Sequence, residues 1–132
     1  MPQHNEDEQA ALEVFRSYAI AFGALDAGGV ARFFNEPSLL LTPKGEHVAK
    51  TRAEIEYAYD SIMREARTRG YASTDFERLE AKSIGAGLVA VSGAGVWTSK
   101  GGDVLMRFEI SYVLRSADPP RIVMAMIRAV DS

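Results

Sequence analysis

The chain contains no cysteine, which removes disulfides, thiolate nucleophiles and cysteine-held metal centres in one step. Histidine is almost as scarce: His4 lies in the N-terminal tail and His47 reads as a turn residue. A histidine-rich metal site is therefore ruled out, and no cofactor is expected. Apolar runs are short, well below the ~20 residues that cross a bilayer. The opening MPQHNEDEQAAL is acidic and lacks the cationic segment and apolar core of an export signal. Basic charge is not concentrated either, since 15 Lys and Arg are interspersed with 18 Asp and Glu for a net charge of −3. Proteins that neutralise a run of phosphates carry a basic stripe, so neither nucleic acid nor a membrane is expected as a partner. These absences together point to a cytoplasmic protein.

What remains is an ordinary globular composition, 47% hydrophobic and 25% charged over 132 residues. That length makes one domain over 1–132, burying roughly two-thirds of its unfolded surface. Residues 1–5 read as a flexible tail. Asn5 with Glu8 forms a cap signal for a first helix, in which Ala11, Val14, Phe15, Tyr18, Ala21, Phe22 and Leu25 recur at helical spacing. Gly28-Gly29 breaks that pattern, and Val30, Phe33 and Phe34 make a short second helix stopped before Pro37. Ser38–Thr42 reads as a buried strand bounded by Pro37 and Pro43, with a brief return strand over Glu46–Ala49. Thr51 and Glu54 form a capping box for a third helix with Ile55, Tyr59, Ile62, Met63 and Ala66 on one face.

Beyond Tyr71 the period changes to two. Strands are expected at 73–84, 88–98, 104–115 and 121–130, joined by turns short enough to make neighbours antiparallel. Within 104–115, Phe108, Ile110, Tyr112 and Leu114 share one face, and Arg107, Glu109, Ser111 and Val113 the other. Gly93 and Gly95 place two bare positions on one face of 88–98, which favours bending of the sheet or close helix packing. Trp97 on that face roofs or covers whatever the sheet encloses.

This order of elements, with Tyr18 eight residues before Asp26 and a first strand ending at Thr42-Pro43, resembles the nuclear transport factor 2-like superfamily, which includes ketosteroid isomerase and SnoaL-like polyketide cyclases. The resemblance implies an α+β fold: three N-terminal helices packed on a strongly curved, mostly antiparallel sheet, forming a cone-shaped pocket. It also implies site residues. Tyr18 falls on a tyrosine that binds a developing oxyanion, Tyr59 on one that supports it, and Phe34 on a third pocket tyrosine. Tyr112 falls on the acid that stabilises the same oxyanion, and Thr42 on the aspartate that moves the proton. A threonine hydroxyl has no proton equilibrium near neutral pH, so the isomerase mechanism has lost its base.

Each position also has a structural reading. Tyr18 and Tyr59 lie on apolar helix faces, where a tyrosine can simply be core with a satisfied hydroxyl, and Thr42 can simply end a strand. Glu109 faces away from the apolar side of its strand and pairs there with a charge. Asp75 is only slightly better placed as a base, and His47 reads as solvated. Arg32, Arg52, Arg107 and Arg128 read as solvated or salt-bridged rather than as anion binders. Met106, Met124 and Met126 supply adaptable apolar surface for a core or a contact. Two functions follow. One is a small-molecule-binding protein, or an enzyme of isomerase, cyclase or hydratase type, holding an apolar oxygenated ligand with Tyr18, Phe34, Thr42, Tyr59, Trp97 and Tyr112. The other is a non-enzymatic interaction or scaffold module. The mixed outer face of the sheet suits a homodimer.

Overall fold

The N-terminal helical pattern becomes α1, Pro2–Gly23. It is seen in a computed structural model that describes residues 2–42 and 44–130, and the backbone alone of residues 2–5. Pro43, expected to close the first strand, thus lies outside the described residues. The helix begins upstream of Asn5, so the cap expected there does not open it. Glu8 instead accepts a hydrogen bond from the Ser83 amide (2.8 Å), tying the helix to the edge of the sheet. Ala11, Val14, Phe15, Tyr18 and Phe22 are buried, and their spacing of three or four makes one apolar stripe.

Helix α2, Ala27–Ala31, corrects two expectations. Gly28 and Gly29 do not interrupt a helix; they form the first turn of this one. Asp26 caps it by accepting from the Gly29 amide (2.9 Å), and any side chain at Gly29 would collide with that carboxylate. The helix also stops short of Phe34, which opens strand β1, Phe34–Thr42. This strand starts earlier than its apolar run indicates because its pairing is irregular between Phe34 and Leu39. An irregularity there accommodates Pro37, which has no amide proton to donate to a ladder.

Strand β2, Gly45–Ala49, returns antiparallel to β1 and places His47 opposite Leu40, in a strand rather than a turn. Helix α3, Arg52–Thr68, opens with the expected capping box: Thr51 Oγ1 accepts from the Glu54 amide, and the Glu54 carboxylate accepts from the Thr51 amide. Its buried face is Ile55, Tyr59, Met63 and Ala66. Asp60 and Arg64 pair one turn apart (2.6 Å). Arg69, one turn beyond Glu65, donates to the Leu105 carbonyl (2.7 Å), clamping the C-terminal end of α3 to the sheet. None of these helices is long and apolar enough to cross a membrane, among the described residues.

Strands β3 (Tyr71–Gly85), β4 (Leu88–Ser99), β5 (Val104–Arg115) and β6 (Arg121–Val130) follow as a meander. The six strands form one sheet in the order β2-β1-β6-β5-β4-β3. β1 and β6, from opposite ends of the chain, pair in parallel, and the other neighbouring strands are antiparallel. The fold is therefore α+β, with helices on one face of a bent sheet. Bending is built into β3, whose pairing with β4 slips at three places. At one of them the β3 backbone closes on Gly93 and Gly95. A Cβ on Gly93 would lie 2.5 Å from the Arg78 carbonyl oxygen, and one on Gly95 would lie 2.5 Å from that of Asp75. The two glycines are there because no side chain fits.

The core lies between the helices and the inner face of the sheet, and includes Val89, Val91, Leu114, Ile122 and Phe34. On the outer face the register aligns Val48, Leu39, Met124, Val113 and Ala90 in one apolar row across five strands. Charge pairs lie beside it: Glu109 with Arg128 on the neighbouring strand, and Arg107 with Glu77 at 3.7 Å.

Candidate functional site

Three tyrosines from three different elements meet inside the fold. Tyr18 comes from α1, Tyr59 from α3 and Tyr112 from β5, and each is at most 5% exposed. Their hydroxyls form a triangle. Tyr18 to Tyr59 is 3.0 Å, Tyr59 to Tyr112 is 3.3 Å, and Tyr18 to Tyr112 is a short hydrogen bond. Local sequence places each one: helical spacing aims Tyr18 and Tyr59 inward, and strand alternation puts Tyr112 on the face of Phe108, Ile110 and Leu114. Aromatic rings hold the triangle, with Phe15 edge-on to Tyr112 at 5.1 Å and Phe34 against Tyr59 at 5.5 Å.

Burial sets the electrostatics. It pushes the Tyr18 hydroxyl well above the ordinary tyrosine range, and the neighbouring Tyr112 and Tyr59 push it further. Burial raises Tyr59 well above that range too, with Tyr112 adding to it. Tyr112 is also raised by burial, but hydrogen bonds from Tyr18 and Tyr59 draw it partly back. All three are neutral donors at physiological pH. As a set they hold three O–H protons for three oxygen–oxygen contacts.

A cavity of about 40 Å³ adjoins two of the three, room for two or three water molecules. Tyr18 and Tyr112 line it and Tyr59 does not. Phe15, Ala19 and Phe22 of α1 form one wall; Phe108, Ile110 and Ile127 of the sheet form the other. Trp97 closes it on the β4 side, packed between Phe22 (tilted, 5.8 Å) and Tyr71 (edge-on, 5.2 Å). Thr74 contributes the remaining hydroxyl of the lining, and no charged residue takes part. The cone anticipated from the sequence is thus largely filled by aromatic side chains.

The other sequence candidates are distributed as follows. Phe34 is fully buried beneath Tyr18 and Tyr59 rather than on the cavity wall. Thr42 ends β1, where its hydroxyl accepts from the Lys44 amide (3.2 Å), and it is not part of the lining. Asp75 is exposed on the face opposite the cavity, in register with Val96 and Arg107. Arg52 donates to the Phe34 carbonyl (3.2 Å). Among the described residues no group of three His, Asp or Glu is arranged to hold a metal. Thr74 was missed by sequence reasoning. Its signal was strand alternation, which puts Thr74 and Phe76 on the same side once the start of β3 is known.

The site can therefore do limited chemistry. It presents neutral hydroxyl donors at the end of an apolar recess and no group that exchanges a proton near neutral pH.

Solved structures share this fold at low sequence identity. A ketosteroid isomerase-like protein from Erwinia carotovora atroseptica matches with TM-score 0.73 and 18% identity, covering 97% of this chain and 99% of that one. An NTF2-like protein with a cystatin-like fold from Novosphingobium aromaticivorans matches with TM-score 0.77 and 17% identity, covering 96% and 84%. The yeast UBP3-associated protein BRE5 matches with TM-score 0.76 and 13% identity, covering 92% and 95%. Such identities establish the fold alone. No curated protein matches the sequence. A family model described as NTF2-like protein (DUF6841) matches residues 6–129.

Proposed function

The chain belongs to that NTF2-like family, and from this premise we propose that it is a small-molecule-binding protein that holds a carbonyl or hydroxyl oxygen of an apolar ligand at Tyr18 and Tyr112. The supporting observation is the triangle of hydroxyls beside an otherwise apolar cavity. When Tyr18 and Tyr59 both donate to Tyr112, the Tyr112 proton is left over and can donate into the cavity. Tyr59 then orients the other two without touching the ligand. The absence of a carboxylate from the lining supports binding, or stabilisation of a polarised carbonyl, over proton transfer. Entry of a ligand larger than a few waters requires Phe22, Trp97 or their neighbours to shift.

The test is a titration of wild type and Tyr112→Phe with para-tolualdehyde, followed on the methyl signals of Ile110 and Ile127. The proposal expects saturable shifts of both methyls in wild type and affinity about tenfold weaker in the variant, as for a buried hydrogen bond of about 1.4 kcal/mol. Unchanged methyl signals overturn it.

A second reading, an interaction module, is favoured by the small cavity and by the apolar row on the outer face of the sheet. Its occupant is a second copy of the chain. Six strands ~4.8 Å apart and about ten residues long present roughly 900 Å², close to the ~800 Å² per partner of a stable interface. Flanking Glu109–Arg128 and Glu77–Arg107 pairs supply both charge signs, as a two-fold contact requires. Sedimentation should give a particle of twice 14.4 kDa; a monomer at micromolar concentration removes this reading.

A further inference from the structure

The register of the sheet gives the cavity two distinguishable ends. Tyr112 lies in the row of Ala125 and Val91, beneath α1 and α3. Thr74 pairs with Trp97, and Trp97 with Met106. On β5, Met106 and Tyr112 are six residues apart (112 − 106), on the order of 20 Å along an extended strand before bending and side-chain reach shorten the gap. The tyrosine end is closed. The Thr74 end is the less covered one, because Thr74 and Phe76 are half-buried there while Tyr18 and Tyr112 are buried.

Between these ends the lining is hydrocarbon. Thr74 adds the one further hydroxyl to it, beside the Trp97 indole N–H, and that hydroxyl is already oriented by a hydrogen bond with the Tyr71 hydroxyl. Tyr71 in turn packs against Trp97, so Thr74 is held as part of the rim rather than left to rotate. No cation faces the cavity from any wall. A bound anion would keep its desolvation cost without a compensating partner.

We propose that Thr74 is a second anchor that determines specificity, and that the site selects uncharged, flat ligands with an oxygen function at each end. One oxygen is taken by the Tyr112 hydroxyl beside Tyr18, and the other by Thr74 at the rim. This rests on the small-molecule reading above.

Matched para-substituted probes test it in a benzene and a biphenyl series: the methyl aldehyde, the hydroxymethyl aldehyde and the methyl carboxylate. Binding is followed by the Ile110 and Ile127 methyl signals in the full chain. The hydroxymethyl aldehyde of at least one series should bind about three- to tenfold tighter than the methyl aldehyde, the gain of one neutral hydrogen bond. Thr74→Val should erase that difference, and Thr74→Ser should restore it. The carboxylate should bind at least about tenfold more weakly than either aldehyde. If the methyl aldehyde binds but Thr74→Val changes nothing, or if the carboxylate binds equally well, the second anchor and the selection for neutral ligands are wrong while the small-molecule reading stands. If no probe binds in either series, both fall.

Discussion

Removing tyrosine hydroxyls one at a time should give a stability series that does not fall steadily. Tyr18→Phe removes the 3.0 Å contact and the short one, leaving the 3.3 Å pair of Tyr59 and Tyr112. Tyr59→Phe removes the 3.0 and 3.3 Å contacts and leaves the short bond intact. With about 0.5–1.5 kcal/mol per buried hydrogen bond, weighted by geometry, Tyr18→Phe should cost about 1–2.5 kcal/mol and Tyr59→Phe about half that. The double variant leaves the Tyr112 hydroxyl buried with neither partner, which adds a desolvation cost of about 1–3 kcal/mol. Replacing Tyr112 as well removes that orphan, so the triple phenylalanine variant should be more stable than the double. Urea denaturation at constant m-value reads all four differences. A steady decline with each hydroxyl lost, or a double variant no worse than Tyr18→Phe, would refute the claim that the three hydroxyls satisfy one another in the ligand-free protein.

Other consequences are independent of that series. Gly95→Ala pushes a methyl to 2.5 Å from the Asp75 carbonyl and 2.9 Å from the Phe108 ring; a loss of about 1–3 kcal/mol is expected in denaturant, and an unchanged midpoint would mean the sheet is not bent by this contact. Alkaline pH should unfold the chain cooperatively. The three buried tyrosines have folded pKa values raised above their unfolded values, so stability is full below about pH 10 and is lost as pH rises past it, when the unfolded chain releases protons the folded one retains. Tyrosinate absorbance should then rise together with loss of the circular dichroism signal; ionisation of these tyrosines in the folded state would contradict it. Met124→Glu puts a charge in the middle of the outer apolar row and should yield monomers on sedimentation with little change in melting, whereas an intact dimer would move the contact elsewhere.

Much of this molecule was legible from its period changes. The capping box at Thr51 and the two-residue alternation after Tyr71 located α3 and the four-strand meander, because those signals are local. Phe34 was not legible: in sequence it continues the Val30–Phe33 helical spacing, and only pairing with β6 makes it the start of a strand. Thr42 showed no more than a hydroxyl where a base would stand, and in the fold that hydroxyl serves the turn to Lys44. The meeting of Tyr18, Tyr59 and Tyr112 depended on register across the sheet, which alternation fixes only to a face. Whether the cone is hollow was beyond reach of any pattern. It depends on how Phe15, Phe22, Phe76, Trp97 and Phe108 share one volume, and that is decided by helix placement and sheet curvature together.

The central claim, that Tyr112, held by Tyr18 and Tyr59, donates to a ligand oxygen, is tested most directly by the para-tolualdehyde titration of wild type against Tyr112→Phe. Saturable shifts at Ile110 and Ile127, with affinity about tenfold weaker in the variant, are predicted. Equal affinities for the two proteins, or methyl signals that never move, would contradict it.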